Sequence, residues 1–155
     1  MALIHEKLYQ SENLARIDFG EYIRSLVTFL SRSYSASAGN ITLDIRADDV
    51  SLGIDTAVPC GLILNELVSN ALKHAFPDGQ AGEIRVELQA DHDHQLILKV
   101  GDNGVGFPGD LDWRTTTSLG LQLVHTLVGQ LEGSVEMHSN GGTEFKFQFG
   151  LARKQ

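Results

Sequence analysis

The 155 residues carry 12 Lys and Arg against 20 Asp and Glu, a formal net charge of -8, and 42% of them are hydrophobic. That balance excludes a disordered chain and argues against nucleic acid as a partner gripped by a basic surface. The length suits one domain with a real core.

The single cysteine, Cys60, excludes an internal disulfide framework and fits a small buried hydrophobe in a reducing compartment. No apolar run approaches the ~20 residues of a membrane span, and the N-terminus lacks a signal-peptide pattern. These features point to a cytoplasmic location and no membrane contact.

In chain order, "MALIHEKLY" reads as the tail of a helix. Asp18 is placed to cap the next one, in which Phe19, Tyr22, Ile23, Leu26, Val27 and Leu30 repeat at i, i+3, i+4 and i+7. "SYSASAGN" is a loop, and "ITLDIRA" alternates as a strand. "LGIDTAVP" leads into a helix with Pro59 near its first turn. "FPDGQAGE" is turn chemistry. "IRVELQA" and "LILKV" read as a hairpin joined by "DHDHQ", whose His92 and His94 belong to a solvated tip. "LGLQLVHTLVGQL" is a third clear helix, with His125 at its edge. "SVEMHS" and "TEFKFQF" close the chain as strands, the first of them ending on His138. The expected class is α+β: a two-layer α/β sandwich with a mostly antiparallel mixed sheet covered on one face by helices.

The helix "NELVSNALKHAF" (65–76) keeps polar residues that a buried helix has no need of. At 100° per residue, Asn70 projects about 40° from Glu66, Lys73 about 20° to the other side and His74 about 80° away. Leu64, Leu67, Val68, Ala71, Leu72 and Ala75 cluster opposite. The polar stripe therefore sets a carboxylate and a carboxamide one turn apart, with basic groups beyond. A solvated face with an i,i+4 side-chain pair reads the same way.

"GDNGVGFPG" (101–109) spells G-x-G-x-x-G, but no apolar helix opens from it, so the dinucleotide fingerprint does not apply. What remains is D-x-G-x-G after a strand. An Asp beside glycines suits a flat base with an exocyclic amine, and a plain Asn-Gly turn is the simpler alternative. "SLGLQLV" puts Gly120 near a helix start, where free N–H groups favour an anion. "NGGTEF" opens the last strand.

These four segments, in this order, resemble the N, G1 and G2 boxes and the terminal Gly-Thr of the ATP-binding domain of sensor histidine kinases, in the Bergerat-fold superfamily. "IHEKLYQSENLARIDFGEYI" is similar to the end of the dimerisation hairpin in one kinase subfamily. The resemblance implies that residues 1–17 are a remnant of the dimerisation helix and linker. Residues 18–155 would then be the catalytic domain, with an ATP lid at about 107–119.

It implies ATP and Mg²⁺ as cofactors. Asn70 would complete the metal shell, and Glu66 would accept or orient the proton of the attacking group. Lys73 and His74 would reach the phosphates or ribose, Asp102 would accept the adenine amine, and Thr143 would back Asp102 through a water. Gly104 and Gly106 would shape the pocket under the base, with Gly120 and Leu121 at the phosphate end.

The implied partners are a histidine-bearing dimerisation domain, outside this chain because His5 belongs to the second hairpin helix, and a response regulator. An ATPase of the same fold, an anti-sigma-type serine kinase and a protein-binding module are the alternatives.

Overall fold

The computed structural model describes residues 16–34, 40–76, 81–91, 95–105, 119–139 and 141–150. The first described element is a two-residue strand β1 (Ile17–Asp18), followed by helix α1 (Phe19–Ser33). As its sequence position suggests, Asp18 caps α1: its carboxylate accepts the Glu21 N–H at 3.2 Å. Glu21 in the first turn and Arg32 in the last both favour the helix dipole. The predicted stripe from Phe19 to Leu30 is buried along its length.

Strand β2 (Ile41–Ala47) and the short β3 (Ser51–Leu52) lead into helix α2 (Ile54–Asn70), which continues as a π-helical turn over Ala71–Ala75. Then come β4 (Gly82–Ala90), β5 (Gln95–Asp102), helix α3 (Leu119–Gln130), β6 (Ser134–His138) and β7 (Thr143–Gly150). β1 and β3 form a small antiparallel pair. The other strands make one mixed sheet in the order β2-β4-β5-β7-β6, in which only the β2–β4 pairing is parallel.

Alternation decides which face is covered. Ile84, Val86 and Leu88 on β4, Leu96, Leu98 and Val100 on β5, and Phe145, Phe147 and Phe149 on β7 are all buried. Residues of the other parity carry charge on the open face: Arg85 and Glu87, Lys99, then Glu144 and Lys146. The apolar stripes of α1, α2 and α3 close over the buried side in one cluster. The two-layer expectation therefore holds. Cys60 is buried in that cluster, and burial pushes its thiol up to about 12, which makes it a packing residue.

Two local readings need correction. Pro59 lies inside α2, beyond its first turn. The helix starts earlier because the Gly53 carbonyl accepts from Thr56 and Ala57 at 3.1 and 2.8 Å. The second concerns Ala71–Ala75, where the backbone widens to π geometry and 100° per residue no longer applies. The 1–15 stretch, His92 and His94 fall outside the described residues.

Phe147 is fully buried, facing Leu98 on one side and Val135 on the other. Phe147→Ala should destabilise the domain by about 3–5 kcal/mol, measured by urea denaturation. An unshifted midpoint would mean that this cross-strand row is not the centre of the core.

Candidate functional site

The site forms where β5 runs out. Asp102 shares a transverse row with Ile84 and Thr143, so it faces the helix layer at the sheet's edge. Its carboxylate accepts the Gly104 N–H at 2.9 Å and the Thr143 main-chain N–H. Desolvation by burial raises its pKa above the usual carboxylate value, and these two hydrogen bonds oppose the shift without cancelling it. Thr143 is itself buried, and it reaches Asp102 through its backbone.

The chain beyond Asp102 is pinned to its neighbours. Asn103 N–H donates to the Glu83 carbonyl at 3.2 Å, and the Glu83 N–H donates back to Asn103 Oδ1 at 2.8 Å. Val105 N–H reaches the Ala75 carbonyl at 2.9 Å, tying this loop to the π turn after α2. Gly104 lies so close to Ala75 that an added Cβ would run into that carbonyl and its carbon. Gly142, at φ +131°, likewise presses on the Asp102 carbonyl.

On α2, Glu66 and Asn70 stand one turn apart, both half-buried. Glu66 reaches the beginning of α3: a Cβ at Gly120 would overlap its carboxylate. The structure thus brings Glu66 to Gly120 and Gly104 to the end of the same helix. Lys73 and His74 do not share that arrangement. Both are exposed, and Lys73 Nζ stands 5.9 Å from the centre of the Tyr34 ring, beyond α1. The 100° projection does not extend to them, because the helix changes pitch after Asn70. Leu121 is buried in the core cluster. Gly106 and residues 107–118 lie outside the described residues.

Sequence reasoning missed Asn103, Ala75 and Tyr34. "DNG" marks a turn but does not reveal that the Asn bonds to a strand. The roles of Ala75 and Tyr34 depend on contacts between segments remote in sequence.

The model of the family described as "Histidine kinase-, DNA gyrase B-, and HSP90-like ATPase" matches residues 55–153. The chain belongs to this family. A second model, described as "Histidine kinase", matches residues 1–34. Blue-light-activated histidine kinase 2 of Erythrobacter litoralis is 33% identical over 142 residues, 88% of this chain and 41% of that protein. The sensor histidine kinase PdtaS of Mycobacterium tuberculosis is 30% identical over 162 residues, 99% of this chain and 31% of that protein. The chain thus spans less than half of either relative.

Among solved structures, the histidine kinase domain of the Erythrobacter litoralis EL346 blue-light activated kinase superposes with a TM-score of 0.87 at 27% identity. That match covers 96% of this chain and 70% of the other. The catalytic domain of histidine kinase ThkA shares the fold at a TM-score of 0.72 and 21% identity, over 88% of this chain and 94% of that one. Within the family, this chain is a catalytic ATP-binding domain of the sensor histidine kinase type.

In such a domain a raised Asp102 pKa has a definite sign. The folded state holds this proton more tightly than the unfolded chain, so stability falls as pH rises from the ordinary value of 3.8 through the raised one. Asp102→Asn should therefore melt higher than the unsubstituted domain at pH 7. The gap should close as pH is lowered toward 3.8, read by circular dichroism melts across that range. A gap independent of pH would show that ionisation of Asp102 is not its source.

Proposed function

We propose that this domain binds Mg²⁺-ATP and positions the γ-phosphate for transfer to a histidine on a dimerisation domain of the full-length kinase, from which a response-regulator aspartate then receives it. The observation that carries the reading is the corner built by Asp102, Gly104 and Ala75. There a partly buried carboxylate sits at a strand end beside a glycine with no room for a side chain. Such a corner suits a flat base whose amine donates to Asp102, and the D-x-G-x-G reading of the loop agrees with it. Gly106, in the same loop, is proposed to line the base, and Thr143 steadies Asp102 from behind.

Glu66 and Asn70 face the phosphate end of the same proposed cleft. The Asn70 carboxamide oxygen is a hard donor that fits Mg²⁺. Among the described residues no group of three His, Cys, Asp or Glu could hold a metal ion. The remaining ligands of a cation at Asn70 would accordingly be phosphate oxygens and water. Bound there, the cation would neutralise charge on the phosphates. Glu66 is proposed to orient or accept the proton of the incoming imidazole, and catalysis is otherwise positioning and electrostatics.

Lys73 and His74 are proposed to meet the phosphates or ribose from the rim, Lys73 by leaving Tyr34. Gly120, with Leu121 behind it, would form the phosphate end where α3 begins, and residues 107–119 would be the lid. We place the boundary between dimerisation remnant and catalytic domain after residue 17, where the Asp18 cap starts α1. The histidine kinase match to residues 1–34 favours a kinase over an ATPase that uses Glu66 to activate water. No described helix is long and apolar enough to cross a membrane, which is compatible with a cytoplasmic setting.

Calorimetry with a non-hydrolysable ATP analogue, with and without Mg²⁺, tests the reading. Asp102→Ala should weaken binding by at least about tenfold, the loss expected for a hydrogen bond to a charged acceptor. Asn70→Ala should remove the benefit of Mg²⁺. In an assay with a separately supplied dimerisation domain, Glu66→Gln should slow transfer about 10²-fold while keeping ATP binding. A folded protein without affinity for the analogue would overturn the proposal and leave a protein-binding module as the better account.

A further inference from the structure

We propose that Asn103 is a positioning residue for base recognition, setting the place from which Asp102 presents its carboxylate. The inference rests on the reading that Asp102 accepts the adenine amine. It starts from the β4–β5 register, in which Ile84 pairs with Asp102, making Glu83 and Asn103 the next pair. In an antiparallel ladder the members of a hydrogen-bonded pair exchange two main-chain bonds. Asn103 N–H makes the first of these, to the Glu83 carbonyl at 3.2 Å. The return bond from Glu83 N–H goes to Asn103 Oδ1 at 2.8 Å.

The Asn103 side chain therefore closes the ladder in place of its own main-chain carbonyl. The last pair is held, yet the backbone is released to leave the sheet at this residue. It leaves at once: Gly104 N–H turns back to Asp102 Oδ1 at 2.9 Å, and Val105 N–H meets the Ala75 carbonyl at 2.9 Å. Continued pairing through the main chain at Asn103 would carry the strand straight on, away from both partners. Asn103 is exposed, so core packing does not account for it.

The residue type follows from the geometry. An acceptor three bonds beyond Cα is needed, which Asn and Asp supply, Ser misses by one atom and Ala lacks. Asp would add a second negative charge next to Asp102, whereas the carboxamide adds none.

Binding of a non-hydrolysable ATP analogue is compared with binding of purine riboside triphosphate, which lacks the exocyclic amine, for the unsubstituted domain, Asn103→Ala, Asn103→Ser and Asn103→Asp. The unsubstituted domain should prefer the ATP analogue. Asn103→Ala should bind that analogue about tenfold more weakly and the purine analogue less than about twofold more weakly, so the preference collapses.

Asn103→Asp should keep the preference within about threefold, since its carboxylate can still accept from Glu83. Partial unfolding lowers both affinities by the same factor and leaves their ratio unchanged. Asn103→Ser repeats the test with a polar side chain that is one atom short of the same acceptor, and it should also lose the preference.

Retention of the full preference in Asn103→Ala or Asn103→Ser would overturn the inference while leaving the nucleotide reading standing. A lack of preference in the unsubstituted domain would overturn the role given to Asp102, and this inference with it.

Discussion

Asp102 holds a carboxylate where water is scarce, and only the N–H groups of Gly104 and Thr143 offset the desolvation. Much of the local architecture is what that arrangement requires. The strand must stop at Asp102 so that the next two residues can fold back. Gly104 must lack a side chain because Ala75 occupies its space, and Gly142 must lack one because the Asp102 carbonyl lies against it. A polar group kept in an unfavourable electrostatic setting, with glycines fitted round it, is a local cost of the kind that functional sites carry.

The π turn at Ala71–Ala75 belongs to the same arrangement. π geometry inside a helix is rare and often marks a functional position. Here it begins directly after Asn70, the proposed metal ligand, and ends at Ala75, whose carbonyl anchors the loop after β5. It also turns Lys73 away from Glu66 and toward Tyr34. The helix thus offers Glu66 and Asn70 at α spacing, then changes pitch and hands its last carbonyl to another segment. A strictly α-helical continuation would have kept Lys73 on the same face as Glu66, two turns further on.

Much of the fold was legible because burial imposes simple periods. Phe145, Phe147 and Phe149 alternate, and Phe19 to Leu30 repeat with the turn of a helix, so each element announced its buried face. The parallel placement of β2 beside β4 was not legible, since alternation fixes a strand's face but not its neighbour. Pro59 misled because proline is common in a first turn, while the true start is set by hydrogen bonds to the Gly53 carbonyl. In the site, the D-x-G-x-G pattern drew attention to Asp102 and Gly104 from residue type alone. Asn103, in the same motif, read as a turn former, because its partner Glu83 is brought alongside only by the sheet.

Glu66 shows why the two halves of the site must be considered together. Its carboxylate lies against Gly120 at the beginning of α3, where helix N–H groups favour negative charge. Ala75, later on the same helical run, holds Val105. Val105 therefore lies at one end of this run, and the start of α3 lies beside an earlier turn of it. A nucleotide lying along the run would meet Asp102 and Gly104 at its base end and Asn70, Glu66 and Gly120 at its phosphate end. Base recognition is then set by the end of the sheet and phosphate placement by α2, so a shift of α2 against the sheet would alter the spacing between the two. This gives the dense packing of α2 in the core a functional consequence as well as a structural one.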